Sequence, residues 1–453
     1  MLLWSGCTVG PDYTPPEIVA PASFTRAELG EAPQVDHWVE AYGDPYLSEL
    51  VRRSAAANHS LRALLLRVQQ ARAFIRSERS EGLPQVDAGG SYARFENSEN
   101  LGPVGGATGA ENSFSASALA TWELDVFGRV RRLVEAARAD ADETAEAYND
   151  LLLLTETEVA AVYFQLRAIE GELQAVEGSV ETRRSALEIV RNRFDSGSVS
   201  DLDVAQAETL LALSEADLAD LRRSRDLLVH ALAVLLAEPA PDYRPEYALL
   251  DGEPVIVPAG IPSELLLRRP DLRQAEQAMR EANARLGVSV ANFYPRFTLV
   301  GEGGFASLEA SDWFESASGF YSVGPQVSAP LFLGGRLRAE REVAEFALAE
   351  AVELYKQAVI EAFAEVEDAL SGARYLAEQR AALERAAQSA RRAQRVSDEQ
   401  YRSGVIAFIT ALDSEREALD AERALFQVIG AQYENSVLLI RAIGGSWGPL
   451  AQP

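Results

Sequence analysis

Few residues of this 453-residue chain have the chemistry of a catalytic or metal site. The chain contains 1 Cys and 3 scattered His, too few for a His/Cys zinc or iron site. Its sequence lacks a Gly-rich phosphate loop, a GxSxG nucleophile motif and a metal-binding helix motif. Glu365 and Glu367 are paired carboxylates, but they lie among many others on a predicted solvated helix face. We therefore expect no catalysis and no cofactor.

Composition and charge exclude further classes of protein. There are 42 Lys plus Arg against 69 Asp plus Glu, a net charge of −27, which would repel a nucleic-acid backbone. Hydrophobic residues make up 47%, enough for a core, so general disorder is excluded. Because no run approaches the roughly 18 apolar residues of a membrane helix, any membrane crossing would need β-strands.

The chain's only thiol, Cys7, follows Leu2-Leu3-Trp4-Ser5-Gly6. This stretch resembles the end of a bacterial lipoprotein signal, in which small residues precede a cysteine that becomes lipidated. A free cysteine near the terminus is the alternative. We favour lipidation, and because one acyl chain anchors weakly, several chains or a second membrane contact would be needed. Residues 1–6 are then residual signal, and residues 7–44, rich in Pro and acidic residues, form an extended arm.

The rest of the chain contains two copies of one unit. The motif FGRVR around Gly128 recurs as GGRLR around Gly335, and FDSG ending at Gly197 recurs as YRSG ending at Gly404. Both pairs are 207 residues apart, without a gap between them. Such self-similarity is the mark of a repeated structural unit.

Upstream of these motifs the offset is larger. Pro84 matches Pro295, 211 residues later, so the first copy has four extra residues between Pro84 and Gly128, where residues 97–112 read as a long polar loop. A length change confined to a loop is expected for two copies of one fold. The repeats span 45–238 and 263–443, with a Pro-rich connector at 239–262 and a tail at 444–453.

Each repeat is predicted to run helix, strand, loop, strand, long helix, tight turn, helix. Alternating apolar and polar residues predict strands at about 85–95, 113–126, 296–305 and 320–332. The hairpins 128–238 and 335–443 each begin with a Pro-free helix of about 65 residues, roughly 100 Å long and typical of a coiled coil. The fold class is mainly α with a small β part, and four strands are too few to close a channel-wide barrel alone.

Several stretches together resemble the outer-membrane efflux proteins of the TolC/OprM type, in their lipoprotein branch. They are CTVGPDY (7–13), WELDVFGR (122–129), RRPDLRQAEQAMREANARLGV (268–288), PLFLGGR (330–336), YRSGV (401–405) and AIGGSW (442–447). The resemblance implies a homotrimer whose subunits close a twelve-stranded outer-membrane β-barrel, joined to a periplasmic α-helical barrel. The implied partners are outer-membrane lipid, a periplasmic adaptor (membrane fusion) protein and an inner-membrane RND pump.

The resemblance also assigns roles at the two helical turns. The adaptor-contacting tips would be Gly197, Ser198, Val199, Gly404, Val405 and Ile406. Glycine suits a tight reversal that needs positive φ, although a good helix turn would need it equally. Where relatives often have an arginine, two residues after the second glycine, this chain has Ile406, which weakens the case for a salt-bridged lock.

A periplasmic gate is implied by four residues near these turns. Asp203 resembles a gate aspartate held by a tyrosine of the other hairpin, which matches Tyr401. Asp413 matches the innermost acidic ring, with Ile409 as the apolar ring beside it. Three Asp413 side chains around one axis would favour cations and disfavour anions. A solvated helix surface is the alternative for a lone aspartate.

The function so implied is a passive trimeric exit duct for small toxic compounds or drugs, in a tripartite efflux system. Two alternatives are an outer-membrane duct for type I protein secretion and a soluble coiled-coil adaptor or binding protein without a pore. The lipid-bearing N-terminus and CTVGPDY fit the drug-efflux branch better than secretion. Two hairpins, with strands at the same point of each repeat, are unlike an adaptor.

Overall fold

The computed structural model describes residues 8–18, 20–21, 23–25, 37–96, 110–250, 252–255 and 267–445. Several predicted features lie outside these ranges: the signal at 1–6 and Cys7, most of the loop at 97–112, part of the connector and nearly all of the tail. The described part is mainly helical with one small sheet, which confirms the predicted fold class.

The helices and strands follow the predicted order. They are α1 (Pro45–Ala57), α2 (His59–Ser80), β1 (Gln85–Phe95), β2 (Glu111–Leu124), α3 (Arg129–Asp195), α4 (Asp201–Leu235), α5 (Pro270–Ala291), β3 (Arg296–Ser307), β4 (Gly319–Ser328), α6 (Arg336–Arg402) and α7 (Phe408–Ala442). The long helices α3 and α6 both have 67 residues, and the return helices α4 and α7 both have 35. The repeat in sequence is therefore also a repeat in element length.

Contacts between residues divide the chain into two compact units, and each draws on both repeats. The first unit comprises Met1–Glu17, Leu66–Ala145 and Gln274–Lys356, and the second comprises Ile18–Leu65, Glu146–Arg273 and Gln357–Pro453. The sheet belongs to the first unit. The helical turns between α3 and α4 and between α6 and α7 belong to the second.

The sheet of the first unit is antiparallel, in the order β1-β2-β3-β4. One row of paired residues shows the register: Ala88 lies opposite Ala118, which lies opposite Gly303, which lies opposite Tyr321. None of the residues in the four strands is buried, and the edge strands β1 and β4 are the most exposed. Within one chain the sheet therefore has no core of its own.

Two strands end earlier than the alternation predicts, each for a different reason. β2 ends at Leu124 instead of residue 126, since the Asp125 carboxylate accepts hydrogen bonds from the backbone N–H groups of Val130 (3.1 Å) and Arg131 (3.0 Å) at the start of α3. β4 ends at Ser328 instead of residue 332. Pro330 follows shortly and has no N–H for a strand ladder.

The N-terminal arm is attached to the first unit close to the end of β2. The Val9 N–H donates to the Phe127 carbonyl (3.1 Å), and the Arg132 guanidinium donates to the Asp12 carboxylate (2.9 Å). Gly10 has a φ of 92°, and a Cβ there would lie 2.7 Å from the Cα of Gly287 on α5. Glycine is thus needed for both the conformation and the close approach.

The second unit contains the main hydrophobic core. Helix α1 begins at the N-cap Asp44, whose carboxylate accepts from the N–H groups of Tyr46 (2.9 Å) and Leu47 (3.1 Å). Its buried stripe at Leu47, Leu50, Val51 and Ser54 has helical spacing. This stripe joins a core with Leu166, Leu232 and Ile440 from the long hairpins. Packing of this kind, more than intrinsic propensity, stabilises long helices.

Two glycines within α3 test how closely the helices pack. A Cβ at Gly171 would overlap the Phe426 ring of α7, whereas a Cβ at Gly178 would meet nothing within 4 Å. We expect Gly171→Ala to destabilise the protein by about 1–3 kcal/mol through overpacking. The control Gly178→Ala should instead stabilise it by about 0.5–1 kcal/mol, because alanine is the better helix former. Thermal unfolding followed by circular dichroism measures both, and equal effects would contradict the close contact.

Candidate functional site at the two helical turns

The turns from α3 to α4 and from α6 to α7 have the same construction. Gly197 and Gly404 have φ angles of 74° and 75°. The Ser198 N–H donates to the Arg193 carbonyl and the Val405 N–H donates to the Gln400 carbonyl, both at 2.8 Å. This is the Schellman helix ending, which needs a left-handed residue just after the last helical turn. Both glycines are therefore required by the backbone.

The residues after the two glycines differ in exposure. Ser198 and Val405 are exposed, with Val405 70% accessible, whereas Val199 and Ile406 are half-buried. Val199 packs against a small hydrophobic core that both hairpins share, formed by Leu187, Val190, Ala207, Phe408 and Leu412. The turns thus expose one polar and one apolar side chain, Ser198 and Val405, above the hydrophobic core that the two hairpins share.

Asp203 caps the helix to which it belongs. Its carboxylate accepts hydrogen bonds from the N–H (2.9 Å) and the hydroxyl (2.7 Å) of Ser200, the residue before α4. These bonds, the hydroxyl bond first, lower the pKa of the Asp203 carboxyl. Because the charged form is favoured, the cap is intact above the ordinary pKa of 3.8 and weakens as the pH falls below it.

Tyr401 lies on the shared core and not against Asp203. Its ring is 5.2 Å from that of Phe408, and the Arg193 guanidinium lies 4.8 Å from its ring centre. The Tyr401 hydroxyl is buried, and it has no hydrogen-bond partner among the described residues. The structure therefore brings Tyr401 together with Arg193, a residue that the sequence did not single out. The tyrosine–aspartate bond implied by the resemblance is not among the contacts of the single chain.

Ile409 and Asp413 lie one turn apart on α7 and share a face. Both are exposed, while their neighbours Phe408 and Leu412 are buried in the shared core. The Asp413 carboxylate lies 3.4 Å from the guanidinium of Arg416. The helix thus turns an apolar and an acidic side chain together away from the protein interior.

A buried ion pair, unsuspected from the sequence, joins the two hairpins behind this face. The Arg183 guanidinium of α3 donates to the Glu415 carboxylate of α7 (2.9 Å), which also accepts from the Ser179 hydroxyl (2.6 Å). Arg183 further donates to the Leu210 carbonyl of α4 (3.2 Å) and to the Ser214 hydroxyl. Its partner is 232 residues distant. Nothing in a helix rich in charges distinguishes either residue in advance.

No described helix has an apolar stretch long enough to cross a membrane. Within the same part of the chain, His, Cys, Asp and Glu side chains form no group of three that could hold a metal ion.

Known proteins are similar to this chain along almost its whole length. The family model described as outer membrane efflux protein matches residues 50–238 and 261–445. The solvent efflux pump outer membrane protein SrpC of Pseudomonas putida is 30% identical over 99% of this chain and 97% of its own length. The cation efflux system protein CusC of Escherichia coli is 29% identical over 98% and 97%. The solved structure of the outer-membrane channel OprN has a TM-score of 0.88 and 29% identity, covering 97% of this chain and 100% of that one.

The match includes both repeats, the sheet and the two turns. The chain therefore belongs to the outer membrane efflux protein family. It is an outer-membrane channel component of an efflux system, as the resemblance in its sequence implied.

The Arg183–Glu415 pair should be important for stability. We expect Glu415→Ala to cost about 3–5 kcal/mol, because it leaves the buried Arg183 charge without its partner. The control is Asp220→Ala, which removes the partner of Arg223 from an ion pair on α4 that is about two-thirds exposed on both sides. That change should cost about 0–1 kcal/mol. Chemical denaturation in detergent compares the two, and a similar small loss for both would show that the buried pair does not hold the hairpins together.

Proposed function

We propose that three copies of this chain form a passive exit duct in the outer membrane. The observation that carries the proposal is the sheet without buried residues, because apolar side chains such as Val86, Tyr321 and Val323 are strongly exposed in one chain. A strand apolar on alternate residues suits a wall between lipid and a wet interior. Four strands from each of three subunits would close a twelve-stranded barrel, joined to a barrel of the long helices.

The proposed cargo consists of small toxic compounds, drugs or solvents. The relatives' names refer to solvents, toluene, antibiotics and cations. The proposed partners are an inner-membrane RND pump and a periplasmic adaptor protein. The adaptor would contact the turn residues Gly197, Ser198, Val199, Gly404, Val405 and Ile406. The exposure of Ser198 and Val405 supports this proposed contact.

The gate of this duct would lie on α7, where Ile409 and Asp413 of three subunits approach one axis. The Arg183–Glu415 pair ties the two hairpins of one subunit. In the repeat, the positions that correspond to Arg183 and Glu415 are Ala390 and Glu208. An ion pair of this kind could therefore not form between these positions where hairpins of neighbouring subunits would meet. Opening would then separate subunits while each pair of hairpins moves as one body. Adaptor contacts would favour the open arrangement.

The duct and its gate are tested together in planar lipid bilayers. We expect the wild-type protein to form channels, and Asp413→Ala to raise single-channel conductance and weaken block by multivalent cations, because the acidic ring is lost. The control is Asp220→Ala, an exposed aspartate of α4 that also pairs with an arginine three residues on (2.7 Å). Equal behaviour of the two variants would remove Asp413 from the gate. Absence of any channel would contradict the duct.

We also propose that Cys7 is lipidated. The support is the position of the residues that follow, since Val9 is bonded to the Phe127 carbonyl at the junction of strand and helix. The Phe127 ring lies 4.6 Å from that of Tyr294 and 6.4 Å from that of Phe297. Of these residues, tyrosine is the type that is enriched at the boundary between membrane and water. A lipid on Cys7 would thus start close to the membrane surface.

Metabolic labelling with palmitate tests this anchor. We expect Cys7→Ser to abolish incorporation of label, because the chain has no other thiol. The neighbouring change Thr8→Ser should leave labelling intact, since it keeps the acceptor cysteine. A labelled Cys7→Ser protein would refute lipidation at this residue.

A further inference from the structure

We infer that β4 of one subunit pairs antiparallel with β1 of a second copy in one defined register, in which Gln326 lies opposite Ser91 and Val327 lies opposite Gly90. This pairing rests on the trimer of the proposed function and adds the residues that meet. It follows from the open edges of the sheet and from the internal repeat.

The edges of the sheet need partners. In the order β1-β2-β3-β4, β1 pairs with β2 alone and β4 with β3 alone. The outer side of each edge strand therefore has a row of backbone N–H and C=O groups that no strand of the described chain pairs. Such edges attract another strand, and in a membrane they must be paired because no water is present. A second copy offers the complementary edge.

The internal repeat shows which strand residues of the first copy are equivalent to which residues of the second copy. Strands β1 and β3 belong to equivalent positions 211 residues apart, as Gln85 and Arg296 show at their first residues. The segments that follow are 207 residues apart, as Arg129 and Arg336 show at the starts of α3 and α6. On these offsets, β2 corresponds to β4 and β3 corresponds to β1.

The observed hairpins provide an independent check of this correspondence. Gln85 lies opposite Thr121 in the first hairpin. Shifted by 211 and 207 residues, this pair becomes Arg296 opposite Ser328, which is the pair observed in the second hairpin. The two hairpins thus have the same register, and the offsets hold within the strands.

The seam between repeats inside one chain then serves as the template for the seam between chains. Within the chain, β2 of the first repeat meets β3 of the second, with Leu119 opposite Glu302 and Ala120 opposite Gly301. Between chains, β4, in the second repeat of one subunit, would meet β1, in the first repeat of the neighbouring subunit. Leu119 corresponds to Gln326 and Glu302 to Ser91, which sets the proposed register.

This register also places the apolar face of one subunit's sheet next to the apolar face of its neighbour's sheet. Following the observed pairs across the sheet, Tyr92 shares a face with Phe114, and Leu299 of that face lies opposite Pro325. The proposed register places Pro325 opposite Tyr92, so the apolar face continues into the neighbour. A slip of one residue would place every side chain of β4 against the wrong face of β1.

Disulfide trapping in the membrane tests the register. We expect Ser91→Cys with Gln326→Cys to form cross-linked dimers and trimers on oxidation, because directly paired residues have Cα atoms about 4.5–5.5 Å apart, within disulfide range. The control is Ala93→Cys with Gln326→Cys, which is displaced by two residues on the same face. Its diagonal separation of about 7–8 Å is at or beyond the limit for a disulfide. Single variants should stay uncross-linked.

The outcomes separate the register from the assembly. Native mass spectrometry in detergent first measures whether each variant has the mass of three 49.2 kDa chains. A shift of the matched pair alone to the mass of linked trimers on a denaturing gel supports the register. A trimer in which the displaced pair links better, or the matched pair does not link, overturns the register and leaves the trimer. A wild-type monomer in detergent would contradict the proposed assembly itself.

Discussion

The backbone groups along the outer edges of β1 and β4 impose the main constraint on this protein. Within the described chain they have no strand partner, and a membrane offers no water to replace one. A sheet without buried residues likewise cannot stabilise itself through a core. In the proposed trimer, neighbouring subunits would supply the missing strand partners. The duplication supports this assembly, because the seam between the two repeats inside the chain would recur between copies.

The helical part depends on a different balance. Its long helices pack through a hydrophobic core, through close contacts such as Gly171 with Phe426, and through the buried Arg183–Glu415 pair. These contacts bind the two hairpins of one chain. The side chains on the other face of α7, Ile409 and Asp413, remain exposed. Hairpins joined in this way could move as a unit, and this agrees with the opening proposed for the channel.

Several parts of the site were predictable because their cause is local. Gly197 and Gly404 end long helices, and a helix ending with a left-handed residue is determined by a few consecutive residues. The neighbours of Tyr401 and Asp203 were not predictable in the same way. Asp203 has a local alternative, the hydroxyl of Ser200, and Tyr401 meets Arg193 through packing between hairpins. The cationic partner of the Tyr401 ring, Arg193, comes from the end of α3, in the other hairpin.

By itself, the sequence determined the duplication, the strand and helix order, the mainly helical fold class and the family. These properties follow from periodicity and from short motifs, which depend on neighbours close along the chain. Only the tertiary structure decided where β2 stops, which carboxylate is buried against Arg183, and which side chains α7 leaves exposed. Each of these depends on residues far apart in sequence or on competition between a strand and the following helix. Such outcomes are settled by packing and hydrogen bonding in three dimensions.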